Sequence, residues 1–121
     1  MKFYIVTLTH KKTGKMFLKF GITSKYNVED RFDTKYERNA KYKDFNLKVE
    51  FSVKTTPEKA EILEKHFLEK YPKNFILENE VGVNFGYYDD FSGLTEWYKP
   101  TLYERKQILK EAYKIREKLW Q

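Results

Sequence analysis

The chain contains no cysteine among its 121 residues, so disulfides and thiolate metal centres are excluded. It has two histidines, His10 and His66, too few for a histidine-based zinc site without carboxylate help. No apolar run is long enough to span a membrane, and no stretch reads as a signal peptide. A soluble, cytoplasmic protein with no membrane partner is expected. A glycine-rich phosphate loop, a Walker pattern, zinc-ligand spacing, internal repeats and low-complexity segments are all missing. Lysine and arginine are absent from residues 78–96, which hold five acids.

The basic residues lie elsewhere. The formal net charge is +6, and residues 11–43 hold ten Lys or Arg against four acids. A basic half with an acidic stretch apart from it suits a polyanion partner, although ordinary surface charge accounts for it as well. Ten Tyr, ten Phe and two Trp can fill a core, and tyrosines on a basic face can also stack on bases or bond phosphates. The length suits one domain with a modest core, residues 1–121.

The chain is organised around residues 3–31. Two apolar runs, 3–9 and 16–23, flank a polar Lys-Thr-Gly-Lys turn, which is a hairpin signature. Both are apolar at nearly every position and are expected to be covered on both faces. If the loop is 11–14 and His10 faces Lys15, Tyr4 lies opposite Gly21 and Val6 opposite Lys19. Tyr4, Lys19 and Gly21 then share one face, with room left beside the glycine for something to approach.

Residues 28–42 carry Val28, Phe32, Tyr36, Asn39 and Tyr42 at helical spacing, with Asn27 as candidate N-cap and Arg31 at the stripe's edge. Arg31 opposes the helix dipole there, which a bound anion or Asp30 would offset. Residues 45–54 alternate cleanly, Phe45, Leu47, Val49, Phe51 and Val53 facing one way, as in a half-exposed edge strand. Thr56 and Pro57 open a helix that ends before Pro72, with Ala60, Leu63, Phe67 and Tyr71 as its apolar stripe. Glu64 falls inside that stripe. It is paired, protonated or metal-bound there, or it sits at the rim beside a lysine. Short strands or an ordered loop are expected across 81–88, and Asp89-Asp90 reads as a turn cap or a cation site. Thr101 and Glu104 form a capping box for a last helix. Its apolar positions are Leu102, Leu109, Ala112, Tyr113 and Trp120, flanked by Ile108, Ile115 and Leu119, and it is expected to pack back on the sheet with a basic polar face.

Tyr4, Lys19, Arg31 and Glu64 are a residue set suited to phosphodiester hydrolysis. A carboxylate holds a divalent metal, an arginine neutralises charge developing on the phosphate, and a tyrosine activated by a neighbouring lysine takes a proton. Their order resembles the GIY-YIG nuclease superfamily, most closely its phage-type branch. Phe3-Tyr4-Ile5 stands at the first motif and Lys19-Phe20-Gly21-Ile22-Thr23 at the second. Arg31 follows ten residues beyond that glycine, Ala60-x-x-x-Glu64-x-x-x-Leu68-x-x-Tyr71 resembles the glutamate helix, and Thr95-Glu96-Trp97-Tyr98 resembles a late segment. The first motif lacks its glycine, and Lys19 replaces the tyrosine of the second.

The resemblance covers about residues 3–98. It implies a small α+β fold, a three-stranded antiparallel sheet flanked by helices, here with the C-terminal amphipathic helix 101–120 added. It also implies a phage or mobile-element endonuclease using Mg²⁺ or Mn²⁺ on DNA, with RNA left open, acting as a monomer or weak homodimer. Tyr4 would be the general base, Lys19 and Arg31 the phosphate contacts and Glu64 the metal ligand. The alternative is an inactive module of the same fold that binds nucleic acid or a host protein.

Overall fold

The computed structural model describes residues 1–71, 97–98 and 101–119. The expectations for 81–88, Asp89-Asp90, the acidic stretch 78–96 and Trp120 lie outside the described residues.

Strands β1 (Lys2–His10) and β2 (Met16–Thr23) form the hairpin. Its loop is closed by the His10 amide donating to the Lys15 carbonyl and the Gly14 amide donating to the His10 carbonyl, each at 2.8 Å. Gly14 takes φ 73°, the left-handed region that closes such a turn. Loop length fixes register, and Tyr4 lies opposite Gly21 and Val6 opposite Lys19, as the sequence predicts.

Strand β3 (Phe45–Lys54) pairs antiparallel with β1 and stays at the edge, while the two-residue strand β4 (Trp97–Tyr98) pairs antiparallel with β2. The sheet order is β3-β1-β2-β4, so the expected three strands carry a short fourth one. The outcome is a small α+β fold.

The alternation read along 45–54 is corrected by a bulge. Ile5 faces Phe51 but Val6 faces Val49, so Glu50 is an extra residue on β3. One extra residue reverses the strand's sidedness. Phe45, Leu47 and Val49 pack with Tyr4, Val6 and Leu8, whereas Phe51 and Val53 pack with Phe3 and Ile5 on the opposite face. The extra residue is held in place by its own side chain. The Glu50 carboxylate is 8% exposed, accepts from Thr7 Oγ1 at 2.9 Å and is paired with the Arg105 guanidinium.

Helix α1 (Pro57–Lys70) covers the Phe3 face. The Thr56 hydroxyl accepts from the Lys59 amide at 3.3 Å, as a cap should. Phe67 is fully buried, its ring stacked 5.3 Å from Phe3 and 5.4 Å from Phe20. Such burial contributes about 1.5–3 kcal/mol. Helix α2 (Leu102–Leu119) opens with the predicted capping box: Thr101 and Glu104 each accept from the other's amide at 3.1 Å. It packs on the same face through Ile108 and Ala112. Leu102 and Tyr113, read as part of its apolar stripe, are instead exposed at 76% and 43%. Glu111 ties α2 to α1, lying 2.6 Å from His66 Nε2 and accepting from Lys70 Nζ at 3.0 Å and Tyr71 Oη at 2.7 Å. Burial alone would raise its carboxyl, but these partners outweigh it and hold the group below its ordinary range.

The other face is covered differently from the single helix expected over 28–42. Two 3-10 segments, Val28–Phe32 and Glu37–Asp44, replace it, and Asn27 makes no side-chain cap. Polar side chains take the backbone groups an α-helix would use. Asp33 Oδ1 accepts from the Lys35 amide at 3.0 Å, and Asn39 Nδ2 donates to the Arg31 and Asp33 carbonyls, both at 3.0 Å.

Candidate active site

Tyr4 and Lys19 occupy neighbouring strands, 1% and 2% exposed, on the face under the 3-10 segments. Side chains alternate along a strand, so Lys19 shares its face with its partner Val6, and Tyr4 lies one pair further along. The place of Gly21 is now explicit. A Cβ built there would overlap the Tyr4 hydroxyl and come within 2.5 Å of Cζ and 3.0 Å of Cε1. The space expected beside the glycine is thus filled by the phenol of Tyr4 itself. A position without a side chain lets the ring lie down across β2.

Phe32 seats Tyr4 from above, edge to face at 5.6 Å, and meets Tyr42 in the same manner at 4.9 Å. Arg31 precedes Phe32, with its guanidinium 5.9 Å from that ring and Nη1 3.4 Å from Asn39 Oδ1. Asn39 is 1% exposed and bonds both the backbone and the side chain of Arg31, so it sets how the guanidinium leaves the segment. Arg31 remains partly exposed and open to an anion. The sequence offered a signal for Asn39, a polar residue at an apolar-stripe position, but gave no hint of its task.

The structure therefore gathers Tyr4, Lys19 and Arg31 on one side. Glu64 is partly buried on α1, the layer over the opposite face. Tyr4, Lys19 and Glu64 are all engaged by neighbours. On β2, Lys19 pairs with Trp97 of β4, so the ammonium stands where the short strand joins the sheet. A buried ammonium is tolerated only when it is engaged, which makes Lys19 the most demanding residue on this face.

Among the described residues no group of three or more His, Asp or Glu gathers that could hold a metal. A site with a single protein carboxylate fits one kind of ion, Mg²⁺ or Mn²⁺ completed by water and by the phosphate oxygens of a substrate. Glu64, half-buried and acceptor-only when ionised, suits that role. No helix of the described residues is long and apolar enough to cross a membrane. No family model, no curated protein and no solved structure matches the chain.

Proposed function

We propose that the protein is a divalent-metal-dependent endonuclease of the GIY-YIG type, hydrolysing phosphodiester bonds of DNA. The observation that carries this reading is the β1–β2 register, which sets the Tyr4 phenol across Gly21 with the Lys19 ammonium on the same face. The guanidinium of Arg31 is tied to that face through Phe32. In this reading Tyr4 Oη takes a proton from the attacking water. The water oxygen bonds to phosphorus as the bond to the leaving oxygen breaks, and Arg31 neutralises the charge on the phosphate. Lys19 places a positive charge on the same face. Glu64, which α1 carries over the other face of the sheet, would in this reading hold a Mg²⁺ or Mn²⁺ ion, and that ion would supply charge stabilisation when bound.

A second reading is favoured by one observation, the near-complete burial of both Tyr4 and Lys19. With the phenol covered, the same fold would serve as a module that binds nucleic acid or a host protein without cutting.

Supercoiled plasmid separates the two. It is incubated with Mg²⁺, Mn²⁺ or EDTA and with wild type, Glu64→Ala or Tyr4→Phe. The nuclease reading expects metal-dependent cutting that falls by at least about 100-fold in either variant. No cutting by wild type, with binding that weakens as salt rises and ignores metal, would establish the binding module instead.

A further inference from the structure

We infer that the outer face of α2 is a second nucleic-acid surface, on which Lys106, Lys110, Lys114 and Lys118 follow a phosphate backbone. The proposal rests on the nucleic-acid reading above but not on hydrolysis. All four lysines are exposed, and they recur every fourth residue, which gives axial steps of about 6 Å along one side of the helix. Among the described residues none of the four takes part in an ion pair or a hydrogen bond. Like charges four apart on a helix repel, so the row weakens the free helix and is relieved by an anion. The helix dipole accounts for cations near the C-terminus, but not for Lys106 and Lys110 in the first half.

The groove beside the row supports the same conclusion. Lys110 and Lys114 line an open cleft of about 440 Å³ between α1 and α2, with Lys70, Tyr71, Gln107 and Glu111. Glu111 would repel a phosphate, but its carboxylate already meets His66, Lys70 and Tyr71. Glu117 is the remaining acid on the exposed arc, one against four. Gln107 adds a neutral amide that can bond a phosphate or a sugar. Ile108 and Ala112 of α2 are spent on the sheet, and the apolar groups that stay exposed, Leu102 and Tyr103 in the first turn and Tyr113 about three turns on, are too few and too far apart for the continuous apolar face a lipid surface needs. A line of exposed cations beside a polar groove fits a phosphodiester strand.

The test compares wild type with the variant carrying Lys→Gln at 106, 110, 114 and 118. A control carries Lys→Gln at 48, 54, 59 and 65, four exposed lysines outside both the row and the basic half 11–43, with the same loss of charge. Glutamine keeps helix propensity, and circular dichroism verifies the fold. Binding of a fluorescent DNA duplex is measured across salt concentrations with EDTA present, so that hydrolysis plays no part. The row variant should bind at least about 10-fold more weakly at low salt, and its log–log salt slope should fall by about 3 to 4, close to one for each phosphate that a lysine no longer neutralises. The control should keep most of the wild-type slope. Equal weakening in row variant and control would overturn the assignment in favour of net charge. An unchanged row variant, or competition by polyglutamate as effective as that by DNA, would overturn it too. Failure of wild type to bind any nucleic acid would remove the underlying reading and the proposal together, whereas binding without cutting leaves the proposal standing.

Discussion

Gly21 and Tyr4 are two residues with one steric problem between them. The ring of Tyr4 occupies the volume a Cβ at position 21 would need. Gly21→Ala should therefore destabilise the fold by about 1–3 kcal/mol, read as a lower denaturant midpoint, because a well-packed core has no slack for an added methyl. The cause is checked in a Tyr4→Leu background, where the ring is gone and the cost of Gly21→Ala should shrink by most of its value. An equal cost in both backgrounds would mean that the glycine serves its own backbone and not the phenol. That Tyr4 and Gly21 face each other was legible in the sequence, because a four-residue loop fixes which residues pair and strand alternation fixes which share a side; that the phenol itself fills the space beside the glycine was not. The task of Asn39 was not legible. Its side chain bonds carbonyls six and eight residues earlier, and that requires the chain to fold back in a way no spacing encodes.

The elements that departed from expectation did so because side chains competed with regular backbone bonding. Asp33 and Asn39 turn the segment after β2 into 3-10 pieces. Glu50 does the same to β3. The run 45–54 alternates without a break, and periodicity alone gives no reason to insert a bulge. The reason is tertiary: Thr7 and Arg105 receive the Glu50 carboxylate, and α2 is thereby anchored to the strand. Glu50→Ala should cost about 2 kcal/mol. That is below the range of a fully sealed pair, because Arg105 keeps 23% exposure, but it leaves a guanidinium without its carboxylate. Deleting Glu50 should cost about as much as the alanine substitution, since removing the extra residue makes Val49 and Phe51 neighbours that still face Val6 and Ile5 on opposite sides of the sheet, and both variants lose the same carboxylate. Thermal melts of the two variants decide this. A deletion far worse than the alanine substitution would mean that the bulged backbone itself, and not only the Glu50 carboxylate, is needed for packing. The ends of the two α-helices, by contrast, were read closely from sequence, whereas the cap expected at Asn27 did not form. Caps such as Thr56 and the Thr101–Glu104 box are local chemistry, complete within four residues.

At the scale of the whole molecule the sheet separates two layers with different tasks. The 3-10 layer closes over Tyr4 and Lys19, and the helical layer carries Glu64 and the lysine row of α2. Each chain offers one tyrosine and one glutamate for the proposed chemistry, and hence one cleavage centre. A single centre acting on a duplex breaks one strand per encounter, because the second scissile phosphate lies on the other strand and the enzyme must rebind to reach it. Plasmid cleavage should thus pass through an accumulating nicked circle before any linear product, with a nicking rate proportional to protein concentration. The gel time course and its concentration series check both features. Linear product appearing without a nicked intermediate, at a rate rising with the square of protein concentration, would require two chains acting together. The lysines of α2 make the single-chain course the stronger expectation. A cationic row beside the groove lengthens each stay on the duplex through phosphate contacts alone, without a partner subunit to hold the protein there. Raising salt should then slow nicking mainly by weakening binding, and excess protein should restore the rate.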